Sequence, residues 1–170
     1  MRLILIREPQ PEDESGFLEA MQRSVEFHSP WTKAPITTPQ FREYIERYQQ
    51  INQKSYLICD YKEHILGVFN INEIVRGLFQ SAYLGFYAVL DYSNKGYMSA
   101  GLKLVLEKVF ADLELHRLEA NIQPENIKSI NLVKANGFKK EGYSPRYLKI
   151  NDKWQDHERW AITYEDWISK

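Results

Sequence analysis

The chain has 170 residues, 44% of them hydrophobic and 26% charged, and its 22 Lys and Arg against 23 Asp and Glu leave a net charge of −1. That length and balance fit one compact domain over residues 1–170 with a sizeable core, and exclude wholesale disorder. The lack of a basic excess argues against a general nucleic-acid or membrane-surface binder.

Cys59 is the single cysteine, so there is no disulfide framework and no thiolate cluster. Alternation in YLICDY puts it on one face of a strand, as a buried inert thiol. The opening MRLILIREPQPEDE has four apolar residues between Arg2 and Arg7, too few for a signal peptide or a membrane span. A reducing cytoplasm is the expected setting.

The segment RLILIR reads as a strand ended by Pro9 and Pro11. Phe17, Leu18, Met21 and Val25 at helical spacing predict a helix from Glu12 to about Phe27, and Pro30 and Pro35 then break the chain. Thr38 as N-cap with Pro39 at the first helical position predicts a second helix to about Asn52. Two β runs follow, SYLICDY and HILGVFNINEIV, joined by a polar turn at Lys62–Glu63. A further strand runs from Ser81 to Val89.

The strongest helix signal spans Tyr97 to Glu114, where Met98, Leu102, Val105, Leu106, Val109, Phe110 and Leu113 form one apolar stripe. Then come a strand RLEANI, a helix from Glu125 to Ala135 stopped by Asn136–Gly137, and a strand from Phe138 to Ile150. Asn151–Asp152 signals a hairpin into a last strand ending near Tyr164. Helices interleave with strands, yet tight hairpins also occur. The class is α/β or α+β, with about four helices on a sheet that mixes parallel and antiparallel pairs.

One junction carries chemistry. FYAVLDYSNKGYMSAGLKLVLEKVF is a strand, a polar loop with Lys95 and Gly96, and then that strongest helix. A helix N-terminus offers unpaired N–H donors and partial positive charge, and a Gly at its mouth lets an anion reach the backbone. It is neither a GxxxxGK[ST] loop nor a GxGxxG turn. Taken alone, the Gly also fits a simple strand-to-helix turn.

The junction resembles motif A of the GCN5-related N-acetyltransferases, [QR]-x-x-G-x-[GA], here Ser93-x-x-Gly96-x-Met98 with only Gly96 kept. ANIQPENIKSINLVKANGFKKEGY resembles the same family's next motif, and GVFNINEIVRG and YLGF fit upstream. The tail YLKINDKWQDHERWAITYEDW is similar to the RimJ/RimL-type branch acting on ribosomal-protein N-termini. The resemblance implies a largely antiparallel twisted sheet with a central splayed parallel pair, Phe86–Val89 and Leu118–Ile122, holding acetyl-CoA as co-substrate. Its arm would lie along Tyr87, Ala88 and Val89, with the Ala88 amide at the thioester carbonyl. The pyrophosphate would sit at Ser93, Asn94, Lys95, Gly96, Tyr97, Met98 and Ser99. Asn121, Asn126 and Ser129 would flank the arm from the following strand and helix.

Acetyl transfer to an amine needs a neutral amine, a positioned thioester, N–H donors for the developing oxyanion and a proton for the thiolate. Asn126 and Ser129 share a helix face at i and i+3. Many relatives use a Tyr four residues before the G-F glycine as thiolate acid; here that position is Val133, and Ser129 takes the role, unless it caps its helix. Many also carry a base before the G-Y/G-F pair, where this chain has Tyr83. Glu73 is the nearest carboxylate, and a solvated strand-end residue is its alternative reading.

The acceptor side would involve Trp31, Arg76, Tyr83 and His157, each equally readable as packing or solvated surface. The histidines His28, His64, His116 and His157 are scattered without HExxH spacing, so no metal is expected. The expected function is acetyl-CoA-dependent acetylation of a protein N-terminal α-amine, of the ribosomal-protein-alanine type, by direct attack in a ternary complex. Monomer and homodimer both remain open. The alternatives are a small-molecule amine acetyltransferase for polyamines or antibiotics, and a weakly catalytic acyl-CoA-binding, ribosome-associated protein.

Overall fold

A computed structural model describes residues 3–169. The first strand, β1 (Ile4–Arg7), stops before the prolines; its expected start at Arg2 lies outside the described residues. A 3-10 turn (Pro11–Asp13) follows, and the Asp13 carboxylate accepts the Gln10 amide at 2.7 Å.

The single helix expected over Glu12–Phe27 is two, α1 (Glu14–Arg23) and α2 (Val25–His28). Ser24 separates them. Its buried hydroxyl donates to the Ala20 carbonyl at 2.8 Å and accepts the Leu90 amide at 3.0 Å, so tertiary bonding overrides helical periodicity. In α3 (Thr38–Tyr48) the cap is Thr37, not Thr38, and Pro39 sits at the second helical position. Thr37 is extended (φ −129°, ψ 157°) and its side chain accepts the Gln40 amide at 3.4 Å. The helix ends at Tyr48, short of Asn52.

Strands β2 (Lys54–Asp60), β3 (Ile65–Val75) and β4 (Ser81–Ala88) form an antiparallel meander. Alternation in β2 divides two cores: Tyr56 and Ile58 face one, Leu57 and Cys59 the other. Cys59 is fully buried, and burial pushes its thiol up to about 11, which makes it inert.

Helix α4 (Tyr97–Glu107) continues into a π turn at Lys108–Asp112, where the Leu113 amide bonds the Lys108 carbonyl at 2.9 Å. The expected plain helix to Glu114 is therefore re-wound, burying Val109 and Phe110. A methyl group on Gly101 would collide with the Ile58 side chain, and one on Gly67 with Met98. These two glycines let α4 lie directly on β2 and β3.

The rest is β5 (Arg117–Ile122), α5 (Ile127–Ala135), β6 (Lys139–Ile150), β7 (Lys153–Thr163) and α6 (Tyr164–Ile168). No helical periodicity marks α6, which is one turn capped by Thr163 and anchored by Trp167 at 5.4 Å from the Phe110 ring. The described residues thus form six α-helices rather than about four.

The seven strands among the described residues form one sheet in the order β1-β2-β3-β4-β5-β7-β6, antiparallel except for β4 and β5. One face packs α4 through Leu102, Val105 and Leu106, the other α1 and α3 through Phe17, Met21 and Phe41. β4 and β5 pair only from Ser81–Tyr83 to Arg117–Glu119. Beyond that β4 stays with β3 as far as Ala88, and β5 with β7 as far as Ile122. The parallel pair splays open, as the resemblance implied.

Candidate functional site

The opening between β4 and β5 is where the site is built. The Val89 amide donates to the Leu66 carbonyl at 3.0 Å, toward β3. Alternation along a strand therefore turns the Ala88 amide and carbonyl toward the opening. His28 Nε2 lies 2.7 Å from the Ala88 oxygen, and since a carbonyl only accepts, that nitrogen carries the hydrogen. Burial, partly offset by this bond, holds the His28 pKa below its ordinary value, so the ring is neutral. Its ring meets Tyr87 edge-on at 5.3 Å. Sequence reasoning missed His28 as a site residue; only folding brings α2 onto β4.

From Ala88 the chain passes through a 3-10 turn (Leu90–Tyr92) to the loop before α4. Asn94 (φ 57°) and Gly96 (φ 77°) are left-handed, the conformation for which Gly has no steric cost. Helices α3, α5 and α6 each have a side-chain cap, whereas α1, α2 and α4 have none. Asn94, Gly96, Tyr97, Met98 and Ser99 line a cavity with Tyr87, Ala88 and Ser93. Lys95 is not among its walls: Nζ donates to the Asp91 carbonyl at 2.8 Å and lies 5.9 Å over the Tyr92 ring. Val89 is fully buried in the core and is not among the cavity walls either.

Helix α5 enters from the other side. The Asn126 side chain accepts the Ser129 amide at 3.3 Å, so Asn126 is the cap and the Ser129 hydroxyl is not needed for capping. Both residues, with Trp31, Thr32 and Phe86, line this cavity and a second one beside it. Val133, the position of the family's Tyr acid, is fully buried in the core. Asn136 Nδ2 donates to Ser99 Oγ at 3.1 Å and ties the end of α5 to the start of α4.

The second cavity is lined by Tyr83, Asn121, His157, Tyr147, Arg47 and Asn72, among others. Asn121 belongs to this side rather than to the first cavity; its Oδ1 is buried with no protein partner. Arg47, Tyr147 and Phe27 were not singled out from the sequence, since nothing in their spacing marks them.

Glu73 and Arg76 are not brought to either cavity. The β3–β4 register shifts between Asn72 and Val75, leaving Glu73 left-handed (φ 52°), exposed and bonded from Gln53 Nε2 at 3.0 Å. The Arg76 guanidinium donates to the Leu113 carbonyl. Among the described residues no three His, Cys, Asp or Glu side chains gather to hold a metal ion. No helix among them is long and apolar enough to cross a membrane.

Residues 2–139 match the family model described as "Acetyltransferase (GNAT) domain". The chain belongs to the GNAT acetyltransferase family. It is 39% identical over 106 residues to the ribosomal protein uS5-alanine N-acetyltransferase of Escherichia coli, a stretch covering 62% of this chain and 55% of that protein. The match thus spans little more than half of that relative's length. The crystal structure of the ribosomal-protein-S5-alanine acetyltransferase from Vibrio fischeri superposes with a TM-score of 0.87 at 25% identity, covering 98% of this chain and 96% of that one. The spermidine N(1)-acetyltransferase of Vibrio cholerae is also similar, at 21% identity over 91% of this chain and 90% of that protein. Solved relatives of this GNAT fold hold CoA, as in the spermidine enzyme's complex with CoA and spermine.

Proposed function

We propose that this GNAT chain transfers the acetyl group of acetyl-CoA to the α-amine of a protein N-terminus, of the ribosomal-protein-alanine type, by direct attack within a ternary complex. One observation carries the choice of acceptor. The described residues lining the second cavity include no carboxylate, and its cationic wall group is Arg47. A polyamine or aminoglycoside acceptor calls for acidic walls, since each buried cation needs a partner. The E. coli and V. fischeri relatives support the same reading. A polyamine is the second reading: Glu43, one turn before Arg47 on α3, lines the adjoining cavity, and the V. cholerae relative supports it.

The residues present fit the co-substrate. Left-handed Gly96 and the N-terminus of α4, which no side chain caps, suit a pyrophosphate, because helix N-termini attract anions. The Ala88 amide, turned into the opening, suits the thioester carbonyl as an oxyanion donor. When bound, acetyl-CoA supplies an activated acyl group. His28 holds the Ala88 carbonyl and so fixes the peptide that presents its amide. Ser129, freed from capping by Asn126, delivers the proton that the departing sulfur needs. Trp31 lies at the boundary of the two cavities and shields the reacting centre from water. The setting we propose is cytoplasmic, with the chain acting as one domain, monomeric or homodimeric.

The test incubates the protein with acetyl-CoA and a peptide bearing a free N-terminal Ala, then locates the acetyl group by fragment mass spectrometry. Acetyl on the α-amine supports the reading; acetyl only on side-chain amines overturns it.

A further inference from the structure

The acceptor amine must lose a proton, and among the described residues neither the expected Glu73 nor any other carboxylate lines the second cavity. We propose that His157 is the general base of the reaction. Its position follows from register: Ile122 pairs with Glu158 and Asn121 with Arg159, which sets His157 one residue beyond the end of β5. Paired residues share a face and alternate ones return to it, so Asn121, Gln123, Arg159 and His157 look the same way. That face is the second cavity, which His157 lines beside Asn126 and Ser129.

The tautomer is set by its neighbour. His157 Nδ1 lies 2.9 Å from the Gln155 carbonyl, an acceptor, so Nδ1 carries the hydrogen. In the neutral ring Nε2 then holds the lone pair. The side chain is only 3% exposed, and among the described residues nothing in the protein bonds Nε2. A buried imidazole with one nitrogen pinned and the other uncommitted, in the wall of an acceptor cavity, is the arrangement general-base catalysis requires.

The step balances as follows. An N–H bond of the amine breaks and its proton passes to Nε2, directly or through one water. The electron pair stays on nitrogen and forms the C–N bond, while the C–S bond breaks and sulfur leaves with its pair. The thiolate takes a proton through Ser129, and the imidazolium returns its own to solvent. The products are an amide and free CoA thiol.

Several other groups face His157. They are Tyr147 of β6, with ring centroids 6.3 Å apart, and Arg159 of β7, whose Nε donates to Ser144 at 3.1 Å. Adjacent Asp156 accepts from Tyr143 and from the Arg146 amide, and Glu158 pairs with Lys140. Tyr83 of β4 and Arg47 of α3 complete the cavity, while Glu119 of β5 is held by Arg117 at 3.1 Å. No other imidazole, and no carboxylate, lines this cavity among the described residues.

The proposal rests on the acetyl-transfer reading, and wild-type thiol release from acetyl-CoA with the peptide acceptor checks that reading first. His157→Asn keeps a donor near the Nδ1 position but has no base at Nε2; His157→Ala keeps neither. Both are expected to lose about 10²- to 10⁴-fold in kcat. Acetyl-CoA should still raise their Tm, and added imidazole should restore part of the activity of His157→Ala. An active wild type with His157→Asn at wild-type kcat overturns the base assignment and leaves the transferase reading intact. Should the variants fail to fold, wild type is assayed with a peptide bearing an N-terminal aminooxyacetyl group, whose amine is unprotonated across the neutral range. A falling rate on the acid side of neutrality then supports the base, and a flat profile overturns it.

Discussion

His28 Nε2 donates to the Ala88 carbonyl across 2.7 Å, fastening α2 to the last residue of β4 at the open end of the sheet. The bond joins segments sixty residues apart, and it makes a short helix part of the floor of the first cavity.

A stability prediction follows from its depressed pKa. A histidine that binds protons less readily when folded leaves stability complete above its unfolded pKa of ~6.5, and stability declines as pH falls below that value. Asp13, held below the usual carboxylate range although burial opposes it, because Arg7 and the Gln10 amide favour its charged form, adds its own loss only near ~3.9 and lower. The Tm should therefore fall between pH 7 and 5.5 in wild type. His28→Gln, which keeps a donor without a titrating ring, should fall less. Equal slopes in the two proteins would remove His28 from the account.

Gly96→Asp tests the anion site. Asp tolerates the left-handed conformation better than most residues and favours a helix N-terminus, so α4 should persist. Its charge occupies the place proposed for the pyrophosphate. At 100 times the Kd acetyl-CoA should stabilise wild type by about 2.7 kcal/mol. In the variant the thermal shift should vanish, and an unchanged shift would refute the phosphate assignment.

Asn126 and Ser129 separate stability from rate. Because Asn126 is the cap, Asn126→Ala should cost about 0.5–2 kcal/mol in a denaturant melt. Ser129→Ala should melt close to wild type yet lose roughly 10²- to 10⁴-fold in kcat as the thiolate's acid. The reverse pattern would make Ser129 the structural residue.

The glycines make a paired test of packing. Gly16 of α1 has open space around it, so Gly16→Ala should stabilise by about 0.5–1 kcal/mol. Gly101 of α4 has the same helical gain available, but its new methyl strikes Ile58, and overpacking costs about 1–3 kcal/mol. Gly101→Ala should be net destabilised, with relief in an Ile58→Val background. A stabilised Gly101→Ala would mean that α4 sits farther from the sheet than described.

The strands were legible in the sequence because alternation and turn residues mark them; RLEANI is the observed β5 residue for residue. The strand-to-helix junction at Gly96 was legible because Gly and a long apolar stripe are local signals. What escaped is what tertiary contact decides. Ser24 breaks a helix because a distant Leu90 amide needs an acceptor. Glu73 lies away from both cavities because a bulge breaks the β3–β4 register beside it, and strand register puts Asn121 in the wall of the second cavity rather than the first. His28 and Arg47 carry no sequence mark at all, since their roles come from strands and cavities that only the fold assembles.

Acceptor choice tests the central claim most directly. An α-amine titrates about 2.5 units below a lysine, so its neutral form is about 3 kcal/mol easier to reach at neutral pH. With acetyl-CoA saturating, kcat/KM is measured for a peptide with a free N-terminal Ala, the same peptide blocked at its N-terminus but carrying an internal Lys, and spermidine. The free N-terminus should be preferred over both by a wide margin. Preference for spermidine, or for the internal lysine, would contradict the account.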